Sequence, residues 1–125
     1  MKSLGQLLQS GDWKNEKHVP VIQIPEKVKS NEEIEIKVLV GEEIKHPNTL
    51  EHHISWIKVF YLPEDSKFPV ELGTFNFTAH GENNVLNEPV VTTHVRLNKS
   101  GTIYALSYCN LHGLWENSKE IKVEE

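Results

Sequence analysis

The chain has only one cysteine, Cys109, among its 125 residues. A single cysteine cannot form an intrachain disulfide, so nothing in the sequence points to an oxidising compartment. No stretch approaches the ~20 apolar residues that a membrane-spanning helix needs. The apolar run near the N-terminus is also too short for the core of a signal peptide. We therefore expect a cytoplasmic protein with no membrane partner.

The sequence also lacks an excess of positive charge. It has 13 Lys and Arg against 18 Asp and Glu, a formal net charge of −5. Affinity for nucleic acid comes largely from basic side chains that neutralise phosphates, so we expect no nucleic-acid partner. Hydrophobic residues make up 38% and charged residues 25% of the chain, a balance typical of globular proteins. The length predicts a single domain over residues 1–125.

Helical periodicity is nearly absent. Residues 3–9 could form one or two helical turns, with Ser3 as N-cap and Gly11 near the C-terminal stop. The remaining chain predicts strands separated by turn residues. The seven predicted strands cover residues 18–24, 34–40, 52–62, 70–78, 91–97, 102–109 and 119–123. This pattern predicts an all-β fold: an immunoglobulin-like, seven-stranded antiparallel β-sandwich with Greek-key connections and a short N-terminal helical segment.

Two of these strands contain irregularities. Pro20 indicates an edge strand, because proline cannot donate a hydrogen bond to a neighbouring strand. In the fourth strand, Val70 and Leu72 alternate in one phase, whereas Phe75 and Phe77 alternate in the other. A β-bulge at the intervening glycine, residue 73, would bring all four side chains to the core.

The side chains with the most distinctive chemistry are one thiol and several imidazoles. Cys109 ends a predicted strand, and His112 follows three residues later, so both side chains can reach one metal ion. His18, His46 and His52 lie at strand ends or loop starts, where they can converge on the same ion. Thiolate and imidazole donors favour iron, copper or zinc. Because a structural zinc site closes at four ligands, five protein donors favour ferrous iron.

Less specific explanations apply to each of these residues taken alone. A lone buried cysteine is more often a small hydrophobe than a ligand, and the charged run around Glu16 could be a solvated strand end. Since successive strand side chains point to opposite faces, only one of His52 and His53 should be a ligand. We expect His94 to be solvent-exposed and His80 to have a structural role beside a turn.

Three motifs carry a resemblance to a known family. E-K-H-V-P, H-P-N-T-L-E-H-H-I and S-Y-C-N-L-H-G-L-W-E occur in this order and resemble the motifs of superoxide reductases of the one-iron class, also called neelaredoxins. The resemblance extends from about Gly11 to the C-terminus. It implies a mononuclear iron with an axial thiolate, Cys109, and four equatorial histidines. The implied histidine ligands are His18, His46, His52 and His112.

The resemblance also implies roles for two charged residues. Glu16 occupies the position of the family's glutamate, which binds the ferric state, and Lys17 that of its solvent-exposed lysine. The role of Glu16 has an electrostatic rationale. Ferrous iron with one thiolate and four neutral imidazoles carries a net charge of about +1, and oxidation raises it to about +2. A carboxylate that binds the oxidised site restores the lower charge.

The activity that the resemblance implies is the one-electron reduction of superoxide to hydrogen peroxide, an antioxidant function. The implied electron donor is rubredoxin or a similar small redox protein, and the implied assembly is a homo-oligomer, either a tetramer or a dimer. The extra N-terminal domain of the two-iron relatives needs four cysteines, which this chain lacks. The chain departs from the family pattern at residues 81–89, a shortened segment that contains none of the candidate ligands.

Two other classes of function compete with this interpretation. A cupredoxin-like copper electron carrier would use two histidines, a cysteine and usually a weak methionine ligand. The only methionine is Met1, and Gly-Leu-Trp-Glu follows His112, which disfavours copper. The other alternative is a metal-free β-sandwich binding module with incidental histidines. Metal content and visible absorption would distinguish the three.

Overall fold

The chain folds into two β-sheets that share one hydrophobic core. A computed structural model describes residues 1–125. In chain order the elements are α1 (Leu4–Leu7), β1 (Pro20–Gln23), β2 (Lys27–Lys29), β3 (Glu33–Val40), β4 (Ile54–Pro63), β5 (Val70–Asn76), a short 3₁₀ segment (Glu82–Asn84), β6 (Val90–Arg96), β7 (Gly101–Cys109) and β8 (Gly113–Glu124). None of the helices has the length and apolar character needed to cross a membrane.

The smaller sheet has the strand order β1-β3-β6, and the larger sheet has the order β2-β8-β7-β4-β5. Strand β1, which begins at Pro20, lies at an edge, as the proline predicts. The paired strands are antiparallel except for β2 and β8, which run parallel with Val28 opposite Val123. The predicted all-antiparallel arrangement is therefore wrong for this one pair.

The all-β prediction is confirmed, but the structure has eight strands rather than seven. The additional strand, β2, has only three residues, too few to show a strand periodicity in the sequence. It forms where Glu26 accepts a hydrogen bond from the backbone of Lys122, which brings the segment beside the C-terminal strand. Strand β8 begins at Gly113 rather than at residue 119, because turn-forming residues such as Asn117 and Ser118 obscure its first half.

Alternation along the central strands builds the core and also places the thiol. In β7, every second residue from Ile103 to Cys109 is buried, because side chains alternate between the two faces of a sheet. Cys109 shares the inward face with Ile103 and Ala105 and is 0% exposed. It belongs to the same cluster of 16 buried residues as Ile57 of the facing β4. The thiol is thus held at the end of a rigid core strand.

The predicted β-bulge in β5 is present. The register between β4 and β5 shifts after Val59, which pairs with Gly73, whereas Phe60 pairs with Glu71. Leu72 is the additional residue and, with Phe75, packs against the core. The prediction was wrong for Val70, which is 50% exposed at the start of β5, an edge strand with a neighbour on one side only.

The N-terminal helix is shorter than predicted, since α1 covers only Leu4–Leu7. Ser3 precedes it and donates its backbone N–H to the Gln6 side chain. The chain then extends alongside β8, where Gln9 forms a parallel bridge with Trp115. This bridge places the N-terminal segment next to the β7–β8 turn.

Candidate metal centre

The five predicted donors lie at one end of the sandwich. His18 precedes β1, whose first residue pairs with the last residue of β3. His46 and His52 lie between β3 and β4, and Ile54 at the start of β4 pairs with Cys109 at the end of β7. His112 lies in the turn that follows. Antiparallel pairing therefore brings the start of β1 beside the end of β3, and the start of β4 beside the end of β7.

A tight turn brings His112 back toward Cys109. Cys109 pairs with Gly113, which leaves a loop of three residues between β7 and β8. Gly113 has a φ of +83°, the left-handed conformation that favours glycine and is typical of three-residue hairpin loops. As a result, His112 Nδ1 lies 3.7 Å from Cys109 Sγ.

The segment between β3 and β4 makes two sharp turns that present its histidines. Gly41 has a φ of +91°, and a Cβ atom on it would lie only 2.6 Å from the backbone nitrogen of His46. A residue with a side chain would therefore displace His46. Further along, Thr49 accepts a hydrogen bond from His52 N at 3.1 Å and donates its own N–H to His52 O at 2.9 Å. This turn fixes the backbone of His52.

The potential donor atoms of His18, His46, His52 and Cys109 all lie within 4.8 Å of one another. His112 Nδ1 lies 3.2 Å from His18 Nε2 and close to the thiol. Nitrogen and sulfur donors on opposite sides of one ion, at about 2.1 and 2.3 Å from it, would be at most about 4.4 Å apart. The structure therefore brings His18, His46, His52 and Cys109 close enough to bind one ion after shifts of a few tenths of an ångström, and His112 lies beside them.

Several donor nitrogens have no partner in the protein. His46 Nδ1 lies 2.6 Å from the carbonyl oxygen of Pro47; since a carbonyl only accepts, Nδ1 carries the proton and Nε2 keeps its lone pair. His46 Nε2 and His52 Nε2 are buried and make no hydrogen bond. An unpartnered buried polar group costs about 1–3 kcal/mol, and a metal ion would remove this cost. The donor set fits a metal that takes imidazole and thiolate ligands.

Glu16 lies beside a donor rather than among the donors. Its carboxylate accepts hydrogen bonds from His18 Nδ1 at 2.6 Å and from His18 N at 3.0 Å. The other ring nitrogen, His18 Nε2, therefore faces the cluster, and Trp115 stacks on the ring with centroids 4.8 Å apart. Burial alone would raise the pKa of Glu16, but the bonds from His18 and the charges of His18 and Lys17 lower it overall. Such carboxylate–histidine pairs orient metal ligands in proteins.

Comparison with known proteins agrees with this geometry. The model of the desulfoferrodoxin family matches residues 10–118. The chain belongs to the desulfoferrodoxin family. A superoxide reductase of Pyrococcus abyssi is 48% identical to it, with 95% of this chain and 99% of the relative covered.

Two solved structures show how closely the fold agrees. A crystal structure from Thermotoga maritima has a TM-score of 0.97 at 54% identity and covers 100% of both chains. The reduced form of the superoxide reductase (neelaredoxin) of Archaeoglobus fulgidus has a TM-score of 0.85 at 45% identity, and the match covers 93% of this chain and 98% of that one.

Three histidines of this desulfoferrodoxin family member lie outside the donor cluster. His53 stacks on His80 with ring centroids 3.5 Å apart, and its Nδ1 lies 2.9 Å from Thr49 O. His80 is buried and places Nε2 2.6 Å from the carbonyl of Phe77. His94 is exposed on β6, as its position in the sequence predicts.

His112 and Lys17 are more accessible to solvent than the buried donors of the centre. His112 is exposed and Lys17 is half-buried, whereas His18, His46 and Cys109 are buried. The Lys17 charge is one of several contributions that lower the pKa values of His46 and His52. The cluster is therefore dry on its core side and open to solvent on the side of the β7–β8 turn.

Two contacts at the carbonyl of His112 are not predicted by the sequence. Trp115 Nε1 donates to it at 3.2 Å, and Gln9 Nε2 donates to it at 2.7 Å. The sequence gives a weak indication of the Trp115 contact, since Trp115 lies shortly after the Cys-His motif at an apolar strand position. It gives no indication of the Gln9 contact, because Gln9 lies 103 residues from His112 along the chain.

The depressed pKa of His46 predicts acid sensitivity of the metal-free protein. Burial, followed in smaller part by the charges of His18, His52 and Lys17, lowers this pKa from 6.5 to about 4, and the hydrogen bond to Pro47 only partly opposes the shift. Between these two pH values the unfolded chain binds a proton that the folded chain does not. Neutral His46 therefore makes its full contribution to the free energy of unfolding above the pKa of the unfolded chain. This contribution is lost as the pH falls toward the pKa of His46 in the folded chain.

We expect the free energy of unfolding of the metal-free protein, measured by urea denaturation, to fall as the pH is lowered from about 7 to about 4.5. His46→Gln should flatten this dependence, because glutamine does not titrate. His94→Gln, which removes an exposed histidine, is the matched control and should leave the slope unchanged. Equal slopes for the His46→Gln protein and the parent would contradict the assignment.

Proposed function

We propose that this protein is a superoxide reductase whose mononuclear iron is held by four histidines and one cysteine. The proposed ligands are His18, His46, His52, His112 and Cys109. The supporting observation is the pair of buried, unpartnered imidazole nitrogens, His46 Nε2 and His52 Nε2, in a cluster that also contains a buried thiol. Relatives that cover nearly the whole chain are named superoxide reductase.

The reaction adds one electron and two protons to superoxide and yields hydrogen peroxide. Iron bound to the cluster would supply the electron, and the thiolate of Cys109 would increase the electron density that the metal can donate. Water or a nearby acid supplies the protons. A single iron stores only one electron for this reaction, so a donor must return one electron after each turnover.

The number of donors favours iron over zinc or copper. Structural zinc sites close at four ligands, whereas five imidazole and thiolate groups converge here. A copper site of the cupredoxin kind would use two histidines and usually a methionine. Met1 is fully exposed at the N-terminus and is absent from the cluster. The cupredoxin alternative is therefore disfavoured by the ligand set.

The surroundings of the cluster suit a small anionic substrate. With a net charge of −5, the protein as a whole repels superoxide at long range, so a local positive potential must attract it. Lys17 provides a positive charge close enough to the cluster to contribute to the lowered pKa values of His46 and His52. On the core side, the complete burial of Cys109 keeps water and oxidants away from the thiolate.

We assign two positions to Glu16. In one, its carboxylate bonds to His18 Nδ1, which holds the ring with Nε2 toward the metal. In the other, it would leave this bond and serve as an additional anionic ligand to oxidised iron, because the higher charge of that ion favours one. The side chain of Glu16 is 35% exposed, so the movement requires no repacking of the core.

We further propose rubredoxin or a similar small redox protein as the electron donor, and a homo-oligomer as the assembly. The exposed ring of His112 supports docking of a small carrier at the β7–β8 turn, where the neighbouring Leu111 is 60% exposed. Open strand edges support self-association, since β5 and β6 each pair with one neighbour only. Phe68, just before β5, is 79% exposed.

Cys109→Ser tests the function most simply. Serine is nearly isosteric with cysteine but far less electron-donating, so the variant should fold and yet lose superoxide reduction. Stopped-flow measurement of superoxide decay, with iron content determined in parallel, gives the rates. His94→Ala should retain both iron and activity, because it removes an exposed histidine outside the cluster. A Cys109→Ser protein with the parental rate would refute the thiolate assignment.

Glu16→Ala and Lys17→Ala should have opposite effects. Glu16→Ala should still hold ferrous iron, although more weakly because His18 loses its orienting bond, and the iron-loaded variant should reduce superoxide with little change. Its ferric absorption spectrum should shift, because the carboxylate is no longer available to the oxidised site. Lys17→Ala should slow the encounter with superoxide and weaken its dependence on ionic strength, with an unchanged ferric spectrum. Visible spectra and second-order rate constants of both variants, compared with those of the parent, test the two roles. If Glu16→Ala cannot hold ferrous iron, Glu16 is a permanent ligand and the two-position proposal fails.

A further inference from the structure

Asn110 joins the two loops that carry most of the donors. It lies between Cys109 and His112 in the β7–β8 turn. Its Oδ1 accepts a hydrogen bond from His53 N at 2.9 Å, and its Nδ2 donates to Glu51 O at 2.9 Å. Its backbone N–H donates to His53 O at 3.2 Å. The bonds of Asn110 therefore end on the two residues that flank His52.

These bonds form the whole hydrogen-bonded connection between the two loops. Every hydrogen bond between residues 46–53 and residues 110–112 involves Asn110. The side-chain amide uses both its acceptor and its donor on main-chain groups, which rotate less freely than side chains. The bonds between His52 and Thr49 lie within the 46–53 loop, and His52 Nε2 has no partner, so neither ties His52 to the β7–β8 turn. Together with the pairing of Ile54 and Cys109, Asn110 therefore sets the distance from His52 to the thiol.

We infer that Asn110 is a positioning residue that holds His52 at metal-binding distance from Cys109 and His112. The inference rests on the metal-binding part of the proposed function. Without the side chain, the 46–53 loop gains conformational freedom that metal binding must then remove, at an entropic cost. Residues that orient metal ligands typically change metal affinity by about 10- to 100-fold when replaced.

The chain offers a matched control in Asn87, which has an equivalent role away from the cluster. Its Oδ1 accepts hydrogen bonds from Thr78 N at 3.0 Å and Ala79 N at 2.8 Å. Its backbone N–H donates to Ala79 O at 2.8 Å. Asn87 thus closes a loop as Asn110 does. Its carbonyl also accepts a bond from Asn48 of the 46–53 loop at 2.9 Å, but Asn87→Ala removes only the side-chain bonds, which end on residues 78 and 79, and neither of these is a donor.

The experiment compares metal affinities of the full-length, metal-free protein with those of Asn110→Ala, Asn110→Asp and Asn87→Ala. Zinc affinity is measured by competition with a chromophoric chelator, and cobalt loading reports the thiolate-to-metal charge-transfer band. Asn110→Ala should bind zinc about 10- to 100-fold more weakly and shift the cobalt band. Asn110→Asp keeps the acceptor for His53 N but loses the donor to Glu51 O, so its loss should be intermediate.

Asn87→Ala should keep the parental affinity and band position even if its urea midpoint falls, which separates positioning from general stability. Parental affinity in Asn110→Ala, or in Asn110→Asp if the alanine variant does not fold, would overturn the inference. An equal loss in Asn87→Ala would also overturn it. These results are independent of superoxide: a parent that binds zinc but does not reduce superoxide when iron-loaded refutes the proposed function and leaves the Asn110 test intact.

Discussion

The desolvation of unpaired donor atoms is the constraint on which this structure depends. Imidazole nitrogens of His46 and His52 are buried without partners beside a thiol that is also fully buried. A protein without a ligand for these atoms would incur the cost of burying them and gain nothing. The sandwich provides the rigid strand ends that make this arrangement possible, and the proposed metal provides the compensating interaction.

The hydrogen bonds around the cluster convert flexible side chains into oriented donors. Pro47 O sets the tautomer of His46, and the carboxylate of Glu16 orients His18. Asn110 performs the same function on the backbone, since it holds the segment around His52 rather than the ring. These contacts order His18, His46 and the backbone around His52, so less free energy would be lost to ordering them when a metal binds. The buried lone pair of His46 also explains why acid should lower the free energy of unfolding of the metal-free protein.

Local sequence patterns predict where the candidate donors lie in the fold better than they predict the contacts around them. Cys109 was assigned to a strand end and His112 to a turn from local spacing, and both lie there. Alternation predicted the buried face of β3 because its period of two extends over eight residues. Strand β2 was missed, because three residues show no period. The bond of Gln9 to the turn and the side-chain bonds of Asn110 are tertiary contacts, which local patterns do not encode.

Glu16 shows a further limit of motif-based prediction. A motif assigns the residue to the iron, whereas the structure places its carboxylate on His18, and the binding of Glu16 to oxidised iron stays a prediction. The central claim is that one thiolate and four imidazoles bind a single iron. Iron-edge X-ray absorption of the reduced protein tests it most directly. We expect one sulfur scatterer with multiple scattering from imidazole rings, and loss of the sulfur in Cys109→Ser. A parent spectrum without sulfur would contradict the claim.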